Sequence, residues 1–546
     1  QADPAGDVAG TGNVNFNVKG ANFIYTGGND NDTMTVTIDA AAAASRSTVV
    51  SGQSDMTFNL QGGDGNDTIQ VNVNTNTALN GNLQNWYNNQ DLNNNITING
   101  GAGDDVIRVP GAGDTTIDAG TGNDTVWADN TGSQTGLNAG GGVSVTSLAN
   151  GTSSNGVWVF NTYDQANAVA NGAARNIYDI RSDVNDTYNL YKATLTVSFK
   201  GLISSTITLT NATTYKTTDL EINQAIKNAI NNNDTLKKLI VAQDGPGNSL
   251  IVTSLVDGVM NTTDLSVTLA APASTGSGAL TTAEETAART AWGLAAAADV
   301  YAPMATEITR FGTTNADYTT QMAQDAVGTN IVGAASTSTS DNFITPGEGN
   351  DVIVLGTTES VQDVGRSSND VVVLGANFGN DVIVNFDNTG NGVDHINLYA
   401  FLNSDTAVTL QGSSTAANNF NATKSVINMM QEVTGTGATA NDTAAKVQAL
   451  YRTAADTAVS AAAVNSVVIV VNNTTNVGTV YSIVNGTAAN DAVATLQGTI
   501  NLGDLAGSTA STWSTIGVAN FRVPVVNNSV ATGVTTIASE GANTEL

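Results

Sequence analysis

The sequence predicts a mainly β protein, with parallel-strand segments combined with β-sandwich-like and small α/β modules, plus Ala-rich helices. Three observations lead there. Gly-rich turns ending in Asn-Asp or Asp-Asp recur, each followed by a short apolar strand. Elsewhere, short runs alternate apolar and polar residues with the period of two that a half-buried strand requires. Two Ala-rich stretches, 281–327 and 441–463, read instead as helical.

The most regular stretch runs from Gly100 to Ala128. It reads GGAGDDVIR, Val109, PGAGDTTID and AGTGNDTVW, three nine-residue units with one residue inserted. Each opens with a turn and closes with a strand whose inward residue is Ile107, Ile117 or Val126. Alternate units turn in opposite directions, so the turns at Gly100 and Ala119 are expected to stack on one side. Glycine lets the turn take φ > 0 at little steric cost. Turn carbonyls and aspartate carboxylates then converge, and such an all-oxygen cluster suits a hard, geometrically tolerant cation, Ca²⁺ before Mg²⁺. The candidate metal ligands here are Gly100, Asp104, Asp105, Asp114 and Asp124.

Five further segments extend the pattern. GGNDNDTMT at 27–35 is degenerate, with Asp30 in place of a glycine and Asp32 as the main candidate. GGDGNDTIQ at 62–70 matches fully and offers Gly62, Asp64 and Asp67. In a second block, 341–386, PGEGNDVIV offers Gly347 and Asp351, and FGNDVIVNF offers Asp381. VGRSSNDVVV offers Asp370 from a loop without its turn glycines.

These tandem units resemble the calcium-binding β-roll of the repeats-in-toxin (RTX) family. The resemblance implies calcium-binding parallel β-roll segments with Ca²⁺ as cofactor. Such rolls often end in a segment matched here by Asp381, Ile383, Phe386, Gly392, Asp394, Ile396, Leu398 and Phe401, which implies a capped roll. A looser resemblance covers 190–260, where strands, a helix and SLIVTSLVDG resemble a module of flagellins. Together they point to bacterial S-layer and secreted surface proteins. RTX proteins are typically exported with an uncleaved C-terminal signal, which the Ser/Thr/Ala-rich tail would suit. The start at Gln1 rather than Met is expected instead from a removed leader or from the numbering of a processed form.

Composition narrows the function. The net charge is −30, which excludes a nucleic-acid binder working through a basic surface. The acids are 39 Asp against 9 Glu, a bias that favours short carboxylates folded onto turns or reaching metals. With no cysteine there are no disulfides or thiolate sites. His395 is the one histidine, so zinc-protease motifs and a Ser-His-Asp triad elsewhere are excluded, and a structural role is expected for it. No apolar run approaches the length of a membrane helix.

Taken in order, 1–150 reads as an N-terminal calcium-binding β domain with an Asn-rich protruding loop carrying Trp86 and Tyr87. Residues 151–280 form the small α/β module, with a helix capped by Thr218 or Asp219. The Ala-rich segment 281–340 opens on a Thr281/Glu284 capping box and is expected to break at Pro303. The second β-roll spans 341–402, and 403–546 an α+β domain with a hairpin in SVVIVVNNTTNVGTVYSIVNG. The expected function is non-enzymatic: an extracellular, calcium-dependent subunit that polymerises with itself on the cell surface. Cell-surface polysaccharide is a second expected partner, and neither nucleic acid nor membrane insertion is expected. The alternative is a calcium-rigidified adhesin that binds a glycan through Trp86 and Tyr87.

Overall fold

The computed structural model describes residues 11–16, 22–39, 57–74, 95–109, 115–128, 130, 132, 157–160, 187–244, 250–256, 264–312, 320–322, 342–356, 370–388, 393–402, 410–411, 420, 425–435, 440–458, 462–504 and 513–521. The chain forms two compact units, Gln1–Asn130 with Gly333–Leu546 and Thr131–Val332. Trp86, Tyr87, Asp114 and Gly392 lie outside the described residues.

Unit 1 begins with β1 (Thr11–Phe16), β2 (Asn22–Thr26), β3 (Thr33–Asp39), β4 (Thr57–Asp64), β5 (Thr68–Asn74), β6 (Asn95–Ala102), β7 (Val106–Val109), β8 (Thr115–Thr121) and β9 (Thr125–Ala128). The odd strands pair side by side in one sheet and the even strands in a second, all parallel. This is the consequence of the sequence pattern. Every strand sends alternate residues to one face. Leu60, Ile98 and Ile117 from the even sheet meet Ile69, Ile107 and Val126 from the odd sheet in one core, all fully buried. Each contributes about 1.5–3 kcal/mol by leaving water.

Unit 2 contains β10 (Val157–Phe160), β11 (Thr187–Tyr188), β12 (Thr194–Phe199), β13 (Leu202–Ile203), β14 (Ile207–Thr208), β15 (Thr217–Thr218), β16 (Ile240–Asp244), β17 (Leu250–Ser254), β18 (Leu265–Ala270) and β19 (Thr320–Met322). Its helices are α1 (Asp219–Asn231), α2 (Leu236–Leu239), α3 (Thr282–Ala291) and α4 (Tyr301–Gly312). Here the pairings are antiparallel. The buried face of α1 carries Ile222, Ala225, Ile226, Ala229 and Ile230, whereas Leu220 is 42% exposed. Thr218 caps α1: its hydroxyl accepts the Glu221 N–H, and the Glu221 carboxylate accepts the Thr218 N–H. Thr281 and Glu284 make the same reciprocal cap on α3. The Ala-rich run breaks at Trp292 and Gly293, not at Pro303. Pro303 stands in the first turn of α4, where its missing N–H has no intrahelical acceptor to lose.

Unit 1 resumes with β20 (Phe343–Thr345), β21 (Val352–Val354), β22 (Val371–Val373), β23 (Gly379–Val384) and β24 (His395–Asn397). These strands extend the two sheets already built. β20 pairs parallel with β8, setting Ile344 beside Ile117, and β21 pairs parallel with β9, setting Ile353 beside Val126. The two repeat blocks, expected in separate domains, thus share both sheets. Ile383, Phe386, Ile396, Leu398 and Phe401 of the expected closing segment are all in the common core.

β24 is the last strand of the even sheet, but the odd sheet continues. β25 (Leu410–Gln411), β26 (Ile427–Gln431), β27 (Val464–Asn472), β28 (Val477–Asn485) and β29 (Val493–Asn501) join it through β29, which runs parallel to β23. The expected hairpin is β27–β28. Helix α5 (Ala444–Ala454) covers the far face with Val447, Leu450 and Tyr451 packed on Val468, Val470 and Ile483. The C-terminal segment therefore extends the odd sheet. Among the described residues no helix is long and apolar enough to cross a membrane.

Candidate metal centre

Six turns lead from the even sheet to the odd one, at 27–32, 62–67, 100–105, 119–124, 346–351 and 376–381. They stack because each successive coil adds one strand to each sheet. Close stacking needs bare glycine: a Cβ on Gly101, whose φ is +114°, would stand 1.8 Å from the Gly63 carbonyl oxygen.

The sixth residue of each turn is a buried aspartate, Asp32, Asp67, Asp105, Asp124, Asp351 or Asp381. Their main chains and carboxylates form an inner row. Asp32 N–H donates to Asp67 Oδ1 (2.7 Å), Asp67 to Asp105 (2.7 Å) and Asp105 to Asp124 (2.8 Å). The row continues from Asp124 to Asp351 (2.7 Å) and from Asp351 to Asp381 (3.1 Å).

This uses Oδ1 and leaves the question of Oδ2. In Asp67, Asp105 and Asp381 that oxygen is buried without a hydrogen-bond partner. In Asp67 and Asp105 it also lies near a main-chain carbonyl oxygen. A Cβ on Gly62 would lie 2.2 Å from both Asp67 Oδ2 and the Gly100 carbonyl oxygen. One on Gly100 would lie 2.4 Å from Asp105 Oδ2 and 2.2 Å from the Ala119 carbonyl oxygen. Buried acceptors without donors are costly. The carboxyl groups register this. Burial, opposed by the Asp67 N–H and reinforced by the Asp67 and Asp104 charges, raises Asp105 to about 6. Burial also raises Asp67, and burial with the Asp351 charge raises Asp381 well above the ordinary carboxylate value. Asp32 differs, because its Oδ2 accepts the Gly28 N–H at 2.8 Å.

A hard cation matches this donor set. Among the described residues no three Asp, Glu, His or Cys side chains converge to hold a metal. A bound ion would therefore take carboxylate oxygens from the inner row and complete its shell with main-chain carbonyls. Mixed carboxylate and carbonyl coordination of irregular shape suits Ca²⁺ better than Mg²⁺.

The other sequence candidates fall in different places. Gly62 and Gly100 are the first residues of their turns and face the carboxylates; Gly347 supplies a positive φ at the second position. Asp30 and Asp64 are exposed on the turns. Asp104 belongs to an exposed outer row with Asn31, Asn66, Asn123, Asn350 and Asn380. There the hydrogen bonds run the other way: Asn66 N–H donates to Asn31 Oδ1 (2.8 Å), Asp104 to Asn66 (2.9 Å) and Asn123 to Asp104 (2.7 Å). Asn350 donates to Asn123 (3.1 Å) and Asn380 to Asn350 (2.9 Å). Sequence reasoning missed these asparagines, although their signal was present as the residue before nearly every turn aspartate. Asp370 lies apart from the inner row. Its N-D-φ-φ-φ motif leads into β22 of the even sheet, so its loop is a return connection. Asp370 accepts the Asn342 N–H (2.9 Å) and donates to Asp394 Oδ1 (3.1 Å), while Asp387 donates to Asp394 Oδ2 (2.8 Å). Burial, then the Asp370 charge, raises Asp394 well above the ordinary value.

No family model, curated protein or solved structure matches this chain. Its class rests on the geometry, a mainly β protein of large parallel sheets with chains of buried aspartates, which is compatible with a β-roll.

Proposed function

We propose that this chain is a secreted, calcium-dependent structural protein of the bacterial surface that assembles with copies of itself into an S-layer, sheet or filament. In this reading the paired sheets are an RTX-like β-roll. The observation that carries it is the set of buried Oδ2 atoms of Asp67, Asp105 and Asp381, which have no donor of their own. Extracellular calcium modules bind at about 10⁻⁴–10⁻³ M. At calcium tenfold above such a Kd, each site adds about 1.4 kcal/mol. Five sites between successive turns would add about 7 kcal/mol, on the scale of a whole domain's stability of about 5–15 kcal/mol.

Charge supports cation-dependent assembly. Of 48 acidic and 18 basic residues, 16 and 10 lie within 131–332, so unit 2 has a net charge of −6. Unit 1 keeps 32 acidic and 8 basic residues, a net −24. Two such surfaces repel until cations neutralise them. Cell-surface polysaccharide remains the proposed second partner. The test is negative-stain imaging of purified protein in about 10 mM calcium, tenfold above the weaker Kd, and in chelator. Regular sheets or fibres that vanish on chelation are expected. Folded monomers in calcium would overturn the assembly reading.

A further inference from the structure

We propose that the open side of β2 is a self-recognition edge, where the even sheet of one copy pairs antiparallel with that of a second copy about a two-fold axis at Ile24. The pairing rests on the self-assembly reading above and deepens it by naming the contact through which two copies meet.

The two ends of the even sheet differ. At one end β24 is bridged at Ile396 by Phe521. The segment 513–521 is tied down there. Asn388 Nδ2 donates to the Thr515 hydroxyl (2.8 Å), Asn520 Nδ2 donates to the Asn388 carbonyl (3.2 Å), and Trp513 and Phe521 enter the common core. At the other end, among the described residues, β2 pairs with β4 alone. The inward side chains register this. Phe58 and Leu60 of β4 are buried, whereas their register partners Phe23 and Tyr25 are only half-buried against the same core. On the outer face Ile24 is 68% exposed, more than any other large apolar side chain described. Edge strands are normally protected by charge, proline or a bulge. Residues 22–26 read NFIYT, with neither charge nor proline, and the register with β4 is unbroken.

The backbone dictates how such an edge can be extended. Gly27 N–H donates to the Gln61 carbonyl of β4 (2.7 Å). Backbone groups alternate sides along a strand, so those of Phe23 and Tyr25 also point to β4, and those of Asn22, Ile24 and Thr26 point away from it. A second copy of the strand, run antiparallel about Ile24, sets Ile24 opposite Ile24, Asn22 opposite Thr26 and Phe23 opposite Tyr25. The outward groups then meet as hydrogen-bonded pairs. The chemistry of NFIYT is nearly symmetric about its centre: polar, aromatic, aliphatic, aromatic, polar. This is why the occupant is a second copy. Aromatic rings meet across the two-fold on the core side, and the two Ile24 side chains cover each other on the outer face. In a unit of net charge −24, these five residues bring no like charges together. The far end of the even sheet is already covered by 513–521, so it offers β2 no head-to-tail partner and the contact closes at two copies.

The chain has no cysteine, so a single introduced one reports the contact. Cα atoms of a hydrogen-bonded antiparallel pair stand about 5.5 Å apart, within reach of a disulfide. Ile24→Cys and a control, Ile203→Cys, at a site 54% exposed on β13, are made separately in the full chain. Both are oxidised with oxidised glutathione in calcium, at protein concentrations too low for sheets or fibres. Ile24→Cys is expected to give a disulfide-linked dimer and Ile203→Cys to stay a monomer. By light scattering under the same conditions the unaltered chain should have twice the chain mass. Ile24→Lys, which sets like charges on the two-fold axis, should return to the single mass with its circular dichroism unchanged. A single mass for the unaltered chain, a doubled mass retained by Ile24→Lys, or equal cross-linking at both positions overturns the edge pairing. Sheets or fibres that still form under the imaging conditions above would then leave the assembly reading standing. If neither dimers nor sheets or fibres form, both fall.

Discussion

Replacing Gly101 by alanine tests whether the turns are packed as described. The new Cβ would lie 1.8 Å from the Gly63 carbonyl oxygen, so reaching ordinary contact near 3.4 Å requires the turns to part by about 1.6 Å. Four of the hydrogen bonds that cross that interface lie outside the β4–β6 ladder. They run from Gly65 to Ala102 (2.7 Å), Asp67 to Asp105 (2.7 Å), Asp104 to Asn66 (2.9 Å) and Val106 to Asp67 (2.8 Å). Parting by half that distance already takes them beyond useful length. At about 1 kcal/mol each their loss amounts to about 4 kcal/mol, and a non-glycine residue at φ +114° adds about 1 kcal/mol. Gly276 provides the control. Its φ is +88° with no neighbour within 4 Å of a Cβ, so Gly276→Ala should lose about 1 kcal/mol from backbone strain alone. Urea unfolding in calcium, followed by circular dichroism, gives the two losses. Hydrogen exchange over 95–109 should rise in Gly101→Ala. Equal losses for the two variants would refute the stacked-turn packing.

Two further outcomes follow from the same geometry. Asp105 titrates near 6 when folded and near 3.8 when unfolded, so in chelator its contribution is fully present below about 3.8 and lost as pH rises through 6. That rise corresponds to about 3 kcal/mol, or about 1–2 kcal/mol after screening by solvent, and Asp105→Asn should remove this part of the slope in urea midpoints at pH 4.5 and 7. Ile107→Ala, at a fully buried position, should cost about 2–5 kcal/mol, whereas Ile24→Ala, 68% exposed, should stay within about 0.5 kcal/mol in the same melts.

The local features of this chain were legible because their causes are local. Glycines marked the turns, and alternation placed Ile107, Ile117 and Val126 in the core. Thr281 announced its helix through a glutamate three residues later, and of the two caps open to the first helix, Thr218 and Asp219, the structure uses Thr218. The inner-row aspartates also stood out, each closing a turn. What stayed hidden depends on distant partners. Nothing near Thr121 signals that it pairs with Glu348, so one pair of sheets read as two domains. Asp370 carries the same short motif as Asp351, and only the sheet its strand enters separates them. The hairpin of β27 and β28 was legible, but nothing in it signals that the next strand, β29, has a second half parallel to β23. Pro303 is a helix breaker in mid-run and a helix opener in a first turn, and the sequence offered both sites.

β29 also has a consequence for how such a chain changes over generations. It places Thr499 beside Asn380 and Ile500 beside Asp381, so an isoleucine stands where another turn's aspartate would. The Thr499 hydroxyl completes the outer row on Asn380 Oδ1 at 2.9 Å. The strand works as a punctuation mark that ends the count of coils at that end. Upstream of it the count is free. The turns keep six residues while the interval between successive aspartates ranges from 19 to 227, because all the variation falls in the return connections. Duplicating or deleting a coil, or splicing a foreign module into a return, leaves the terminator and its neighbours as they are. A gene built this way can change the length and cargo of its product by whole units while its packing rules stay fixed.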